Sequence, residues 1–303
     1  MQTPFRLGTR GSPLALAQAG MVARALEQTH GLAPGAITIV PIRTGGDKVQ
    51  DRPLAELGGK GVWTKELDRA LLAGDIDFAV HSMKDVESVR PASIVIAAIL
   101  PRADVRDRLI GAAAIDDLPR GARVGTSSPR RAAQLRRLRS DLEIVPFRGN
   151  VDTRLARLER GEAEATLLAA AGLDRLGRDS VGTAIPIGTM LPAAAQAAIG
   201  IEARARDADL LAWLAAIGDA ETERCVHAER TLLATLGGDC RSPVAALATQ
   251  GKAGIHLRAE ILSPDGVLHA YGEALLIHPE EAARLAQRLF EAAPAALRAQ
   301  FSG

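Results

Sequence analysis

Apolar positions along the first two thirds of the chain follow two alternating spacings. Short apolar runs typical of strands occur at 5–8, 36–40, 76–80, 93–100, 122–125, 142–147 and 165–169. Between them, apolar residues recur with the period of an amphipathic helix at 12–27, 64–74, 130–139 and up to Gly161. Alternation of strands and helices is typical of an α/β architecture with a mostly parallel sheet.

The pattern restarts near residue 104, and one layout recurs in both halves. The phrases RALLAGDIDFAVHS and ARLERGEAEATLLAA each contain a helix end, a glycine, an acidic turn and a buried strand. We therefore predict two similar α/β lobes that face a cleft.

The chain changes character from about residue 220. The helical period of 221–236 ends at a glycine. Apolar runs at 255–261 and 267–277 flank Pro-Asp-Gly, which predicts a hairpin, and an Ala-rich helix is expected at 279–292. These elements predict a small third α+β domain.

The polar, Gly-rich segment 43–62 is unusually long for a loop in a compact domain. Loops of this length are often mobile lids, so we predict a lid here. A disordered insertion without function is the alternative.

Composition narrows the class of protein. The 303 residues suggest about two domains, and 47% hydrophobic with 24% charged residues is ordinary for a globular chain. A net charge of +1 provides no global field for nucleic acid or membranes. The start has no signal-peptide pattern and the apolar run 93–100 is too short to span a bilayer, so we expect a cytoplasmic protein.

The two cysteines, Cys225 and Cys240, are not expected to form a disulfide. Cys225 lies on the apolar face of the predicted helix 221–236, which rises about 16 Å between residues 225 and 236. The four residues that follow reach at most about 14 Å, so the short Cα separation of a disulfide would require a strained turn. We expect Cys225 in the core and Cys240 presented in the turn GGDCRSP. The CxxC and HxxxH spacings typical of zinc sites are absent from the sequence, so a zinc site is not expected.

One local device occurs three times: a strand ends in a small or basic polar cluster and a helix begins at once. The three segments are 9–13, 126–131 and 148–152. Hydroxyls, backbone N–H groups, a helix N-terminus and an arginine converge in each, which favours anion binding. Between residues 120 and 160, eleven arginines stand against four carboxylates. A ligand with several carboxylates or phosphates is the predicted partner, and simple helix capping is the alternative for any one segment.

His81-Ser82-Met83-Lys84-Asp85 follows the strand that ends at Val80. Ligands of open α/β sheets bind at the carboxyl ends of strands, so Asp85 is a candidate for acid–base chemistry and for stabilising a cation. A helix-capping aspartate in a salt bridge is the alternative.

Seven motifs together resemble the porphobilinogen deaminase (hydroxymethylbilane synthase) family. They are TRGSPLALAQ, GGKGVWTKEL, DFAVHSMKDV, VGTSSPRRAAQL, RGNVDTRL, LAAAGLDRLG and GGDCRSPVA, in order from residue 9 to about 245. The resemblance implies an α/β fold of two periplasmic-binding-protein-like lobes around a cleft plus a small C-terminal α+β domain. The implied boundaries are 1–101 with 197–217, 102–196, and 218–303.

The resemblance also implies the reaction. Four porphobilinogen molecules are joined head to tail with loss of ammonia, and hydroxymethylbilane is released. The chain grows on a dipyrromethane cofactor, which the family pattern attaches to Cys240 by a thioether. Asp85 becomes the catalytic carboxylate. The implied enzyme is a cytoplasmic monomer of heme and tetrapyrrole biosynthesis, with no metal and no nucleic-acid or membrane partner.

Further site residues follow from the family pattern. Besides Cys240, the residues expected to bind the cofactor are Lys84, Thr126, Ser127, Ser128, Arg130, Arg131 and Gln196. The residues expected to receive the porphobilinogen substrate are Arg10, Ser12, Lys60, Arg148, Gly149, Arg154 and Arg175. Because pyrrole rings with acetate and propionate groups accumulate carboxylates, repeated cationic helix N-termini suit such a chain.

Three positions depart from the family pattern. Glu56 stands where many relatives have a lid lysine, and Ala195 and Ala197 stand where glycines usually flank Gln196. Alanine tolerates fewer backbone conformations than glycine, so the backbone beside Gln196 is expected to be less permissive.

Two other functions fit part of the pattern. A two-lobed binding protein for a small polyanion would use the same cleft and arginines, but it would leave Cys240 without a role. A cysteine-nucleophile hydrolase would need a base, and the histidines, His227 included, show no informative spacing.

Overall fold

The computed structural model describes residues 4–45, 64–278 and 280–301. In chain order the elements are β1 (Phe5–Arg10), α1 (Pro13–His30), β2 (Ile37–Ile42), α2 (Lys65–Ala73), β3 (Phe78–Ser82), β4 (Ile94–Ile99), β5 (Asp107–Ile110), β6 (Arg123–Gly125), α3 (Pro129–Leu138), β7 (Glu143–Val145), α4 (Val151–Glu159), β8 (Ala165–Ala169), α5 (Ala170–Arg175), β9 (Thr183–Ala184), β10 (Ile199–Arg204), α6 (Ala208–Ala215), α7 (Ala220–Thr235), β11 (Val244–Gly251), β12 (Gly254–Leu262), β13 (His269–Leu276), α8 (Glu281–Ala292) and α9 (Ala295–Arg298).

The described chain forms two compact units. Unit 1 contains 4–45, 64–103 and 197–223, and unit 2 contains 104–196 and 224–301. Unit 2 therefore joins the second predicted lobe with the C-terminal domain. The three-domain boundaries expected from the sequence stay a prediction.

Unit 1 is built on a five-stranded sheet in the order β2-β1-β3-β10-β4. The strand β1 pairs in parallel with β2 and β3, whereas β10 is antiparallel to β3 and β4. The sheet packs against α1 and α6 through an apolar core that includes Leu7, Leu26, Phe78, Ile201 and Leu214, each fully buried. The parallel part was predicted, and the reversed strand β10 was not.

Unit 2 repeats this topology in a second sheet with the order β7-β6-β8-β5-β9. Here β5 is the reversed strand, since it is antiparallel to β8 and β9. The parallel strands β6 and β1 are each followed by a helix with a serine cap, Ser128 or Ser12, and a proline as its first residue. Proline suits that position because its missing N–H has no partner within the helix. The predicted likeness of the two lobes is confirmed.

The C-terminal part of unit 2 is a three-stranded antiparallel sheet, β11-β12-β13, covered by α7 and α8. The predicted hairpin is β12 and β13, and β11 was not predicted. Cys225 is 4% exposed in the core between this sheet and its helices, as expected. The structure contains no disulfide between it and the exposed Cys240. In the described part of the chain, no helix combines the length and apolarity that crossing a membrane requires.

Candidate active site

Asp85 lines a pocket of unit 1 together with Arg10 and Ser12. The other residues that line it are Leu14, Ala15, Gln18, Val80, His81 and Ser82. The pocket forms because β1 and β3 are parallel neighbours, so their carboxyl ends lie at the same edge of the sheet. Residues predicted from two separate motifs, Arg10 and Ser12 from one and Asp85 from the other, are thus brought together.

The turn that carries Asp85 is fixed to the sheet by its backbone. After β3 the chain forms a single 3₁₀ turn, Met83–Asp85, which also carries Lys84. The N–H of Met83 donates to the carbonyl of Ala198 at 3.0 Å, and the N–H of Val86 donates to the carbonyl of Met83 at 3.2 Å. The Met83 side chain is fully buried and anchors the turn.

A buried ionic network adjoins the pocket through His81, which lines it. Glu202 of β10 is fully buried; its Oε1 accepts from Arg90 Nε at 2.8 Å and its Oε2 lies 3.2 Å from His81 Nε2. Burial alone would raise the pKa of Glu202, but its contacts with His81 and Arg90 outweigh burial and lower that pKa to about 2. Arg90 also contacts Glu87 and Asp68. Sequence analysis missed this network.

In unit 2, hydroxyl groups organise the segment between β6 and α3. Ser128 caps α3 by accepting a hydrogen bond from the N–H of Arg131 at 3.4 Å. Thr126 Oγ1 accepts from the N–H of Ser128 at 3.2 Å, and Ser127 Oγ donates to the carbonyl of Phe147 at 2.9 Å. The cap presents the first turn of the helix in one conformation.

Arg130 and Arg131 point into the protein and share one carboxylate. Arg130 Nη2 donates to Asp107 Oδ2 at 2.8 Å, and Arg131 Nη2 donates to Asp107 Oδ1 at 2.7 Å. Gln196 Nε2 donates to the same Oδ1 at 2.9 Å and to the carbonyl of Val105 at 2.8 Å. Burial would raise the pKa of Asp107, but the two guanidinium charges reverse this and hold it far below its ordinary value.

A second group of arginines follows β7 and β8. Arg148 Nη1 is buried and has no hydrogen-bond partner among the described residues. Arg154 Nε donates to the carbonyl of Gly149 at 3.0 Å, and Gly149 has a φ of 105°, which favours glycine. Arg175 ends α5, where burial lowers its pKa to about 10 despite the charge of Asp174. It still carries its charge at neutral pH, so an anion would stabilise it.

Cys240 is exposed at the tip of the turn that follows α7. Its neighbours are tied to each other: Arg241 Nη2 donates to Asp239 Oδ2 at 2.7 Å, and the N–H of Asp239 donates to Ser242 Oγ at 3.0 Å. Burial raises the pKa of Asp239, but the hydrogen bonds from Arg241 lower it further than burial raises it. The turn therefore presents a thiol from a fixed backbone.

The segment around Gln196 has an unusual backbone. Ala195 and Ala197 have φ values of 59° and 71°, and no other non-glycine residue in the described ranges has a positive φ. The N–H of Ala195 donates to Oε2 of the fully buried Glu229 at 2.6 Å. Side chains make this conformation unfavourable by roughly 1–2 kcal/mol per residue. The two departures from the family pattern therefore fall where glycine is favoured.

Two family models match the chain. The first, described as porphobilinogen deaminase, dipyromethane cofactor binding domain, covers residues 5–212, and the second, the porphobilinogen deaminase C-terminal domain, covers residues 223–294. The chain belongs to the porphobilinogen deaminase family.

Curated relatives support the family assignment. A protein named porphobilinogen deaminase from Sphingopyxis alaskensis is 57% identical over 99% of this chain and 97% of its own length. Another of that name from Paracoccus denitrificans is 54% identical over 88% of this chain and 86% of its own length. In the described ranges, no group of three or more His, Cys, Asp or Glu residues is arranged to hold a metal ion.

Two solved structures align with part of the chain at low sequence identity. The BvgS VFT2 domain of Bordetella pertussis aligns with a TM-score of 0.42 and 16% identity over 70% of this chain and 84% of that domain. A nutrient binding protein from Burkholderia cenocepacia, bound to methionine, aligns with a TM-score of 0.42 and 16% identity over 72% of this chain and 93% of that protein.

The predicted site residues divide between the two units. Arg10, Ser12, Lys84 and Asp85 belong to unit 1. The residues of unit 2 are Thr126, Ser127, Ser128, Arg130, Arg131, Arg148, Gly149, Arg154, Arg175, Gln196 and Cys240. Lys60 and most of the predicted lid, from residue 46 on, lie outside the described residues.

Proposed function

We propose that this chain is a porphobilinogen deaminase that builds hydroxymethylbilane on a dipyrromethane attached to Cys240. Four porphobilinogen molecules are condensed head to tail, and one ammonia leaves at each condensation. Water then cleaves the bond between the cofactor and the new tetrapyrrole, which leaves as hydroxymethylbilane. The observation that carries this function is the match to both family models over residues 5–212 and 223–294. The placement of Asp85 beside Arg10 and Ser12 gives the chemistry a site.

Asp85 is the proposed acid–base group. In each cycle its carboxyl protonates the departing amine of porphobilinogen, its carboxylate stabilises the azafulvenium cation that results, and it then helps to remove the proton from the newly bonded pyrrole carbon. One carboxyl can serve all three steps because each step leaves it in the protonation state that the next one needs. Arg10 and Ser12 in the same pocket would bind carboxylates of the substrate.

The proposed cofactor residues suit a ligand with several carboxylates. Two guanidinium groups share the carboxylate of Asp107 in this buried cluster, and Nε of both Arg130 and Arg131 is buried without a hydrogen-bond partner among the described residues. The exposed thiol of Cys240 is accessible for a thioether. When bound, a dipyrromethane supplies the pyrrole carbon to which the first substrate is joined. The other residues proposed for the cofactor site are Lys84, Thr126, Ser127, Ser128 and Gln196.

The proposed substrate residues of unit 2 are cationic and partly buried. Arg148 has a buried Nη1 without a partner among the described residues, and Arg175 has a lowered pKa because burial removes its charge from water. Both observations favour an anionic ligand. Gly149, Arg154 and Lys60 complete the proposed substrate set. The enzyme is proposed to act as a cytoplasmic monomer without nucleic-acid or membrane partners.

Intact mass under denaturing conditions tests the attachment. The unmodified sequence should carry an addition of two pyrrole units, Cys240→Ser should lack it, and the buried Cys225→Ser should retain it. A protein that is fully active without any addition would refute the proposed mechanism.

Asp85→Asn tests the acid–base role. Since a positioned general acid or base contributes about 10²- to 10⁴-fold, turnover should fall by that range while the addition on Cys240 is kept. Asp75→Asn, at an exposed carboxylate of the same unit, is the matched control and should turn over normally. Near-normal turnover of Asp85→Asn would remove Asp85 from this role.

A further inference from the structure

Asp107 is a buried carboxylate to which no part of the mechanism above assigns a task. It is the first residue of β5, and its side chain is 2% exposed. Three residues that were predicted to bind the cofactor, Arg130, Arg131 and Gln196, all donate to it at 2.7–2.9 Å. Asp107 thus connects a strand, the first turn of α3 and the turn before β10.

These contacts leave the two guanidinium groups little freedom. Arg130 Nη1 donates to Gln134 Oε1 at 2.8 Å and to the carbonyl of Leu191 at 2.9 Å. Arg131 Nη1 donates to the carbonyl of Leu167 at 2.9 Å. Because each planar group also binds Asp107 through Nη2, neither can rotate without breaking a buried, charge-assisted hydrogen bond.

We propose that Asp107 is a positioning residue of the dipyrromethane site, which fixes the Arg130 and Arg131 guanidinium groups while Gln196 holds its carboxylate. This inference rests on the proposed function. Asp107 does not touch the cofactor; it acts through the arginines. Gln196 acts in the same way, because both N–H groups of its amide are used by Asp107 and Val105.

Positioning and simple charge compensation predict opposite effects. Asp107 is the only carboxylate that the structure shows within hydrogen-bonding distance of both arginines in the described residues, and its charge opposes the binding of another carboxylate. If its only effect on the cofactor were electrostatic, Asp107→Asn would strengthen cofactor binding. If it positions the arginines, the same substitution weakens binding, because misplaced donors match the carboxylates poorly.

The experiment compares Asp107→Asn with the unmodified protein and with Asp141→Asn. Asp141 is the matched control, since it also accepts two hydrogen bonds from one arginine, Arg139, at 2.8 and 2.9 Å. Folded, monodisperse protein is analysed by intact mass for the loaded fraction, and kcat/KM for porphobilinogen is divided by that fraction. A merely structural role would lower the melting temperature without changing either quantity.

We expect Asp107→Asn to lower the loaded fraction, or kcat/KM per loaded molecule by about tenfold to a hundredfold, while Asp141→Asn changes neither. Full loading with kcat/KM within about twofold of the unmodified protein, or tighter cofactor binding, would overturn the inference. If Asp107→Asn does not fold, Gln196→Met is tested instead, because it removes both amide hydrogen bonds and keeps the charges. It should likewise lower the loaded fraction or kcat/KM per loaded molecule, and no change in either would overturn the inference. An unmodified protein without any addition would instead refute the proposed function.

Discussion

Gly200 allows the turn of the proposed catalytic aspartate to pack tightly against β10. A Cβ atom at Gly200 would lie 2.0 Å from Sδ and 2.8 Å from Cγ of Met83. Met83 begins the 3₁₀ turn that carries Lys84 and Asp85, and its side chain is fully buried. Gly200→Ala is therefore expected to displace the turn.

The size of the effect follows from these distances. Non-bonded carbon atoms pack at about 3.5–4.0 Å, so the Met83 side chain would have to move by roughly 1.5–2 Å. The Met83 side chain is fully buried, and an added methyl group in a packed core costs about 1–3 kcal/mol. A shift of about 1 Å in a catalytic group can cost about a hundredfold in rate. We expect a free energy of unfolding lower by about 2 kcal/mol and a kcat lower by tenfold or more.

Urea unfolding and steady-state kinetics measure the two effects. The set consists of Gly200→Ala, Met83→Ala, the double variant, and Gly188→Ala as the control, because a Cβ at Gly188 meets no atom within 4 Å. If the new methyl group and Met83 compete for one space, the double variant should be less destabilised than the sum of the single variants by about 1 kcal/mol or more. Gly188→Ala should be close to neutral in both assays.

The refuting result is equally specific. Additive destabilisation in the double variant, together with an unchanged kcat for Gly200→Ala, would show that the turn adapts without moving Asp85. The close approach at Gly200 would then have no bearing on catalysis.

Three further predictions concern other parts of the chain. The pKa of Glu202 is about 2 in the folded protein against an ordinary 4.5, so its stabilisation is full above about pH 4.5 and is lost as pH falls toward 2. Glu202→Gln should therefore lower the free energy of unfolding by on the order of 3 kcal/mol at pH 7, and this difference should shrink in acid. A difference that does not depend on pH would contradict this. Arg148→Ala should raise KM by tenfold or more at a nearly unchanged melting temperature, since Arg148 Nη1 has no partner among the described residues; an unchanged KM would exclude it from the substrate site. Ser128→Ala should destabilise unit 2 by about 1 kcal/mol in urea unfolding, whereas Ser128→Asp, which can also cap α3, should not.

The sequence predicted the elements whose signals are local. Strong apolar runs and the helical period predicted β1, β3, β6 and α1, and hydrogen bonds show serine caps at Ser12 and Ser128. The pocket that joins Arg10, Ser12 and Asp85 was predictable in outline, because parallel strands bring their carboxyl ends to one edge. The direction in which Arg130 and Arg131 point was not predictable, because it depends on Asp107, a carboxylate on an unpredicted strand.

Two of the missed strands, β5 and β10, have a common physical cause. Charged residues interrupt both strands, Asp107 and Arg108 in β5 and Glu202 and Arg204 in β10, so neither produces an uninterrupted apolar run. Each strand also pairs antiparallel with both of its neighbours. Each is the first strand after the chain passes from one compact unit to the other.

The same two strands supply the buried carboxylates that hold the arginine networks, Asp107 for Arg130 and Arg131, and Glu202 for Arg90. The buried carboxylate that makes each strand hard to predict is thus also the group that organises the arginines of its unit. A charge inside a sheet is stable only when residues from distant parts of the chain pair with it. Such a strand can be predicted from sequence only if an isolated carboxylate in a half-apolar segment is taken to be buried and paired with an arginine elsewhere in the chain.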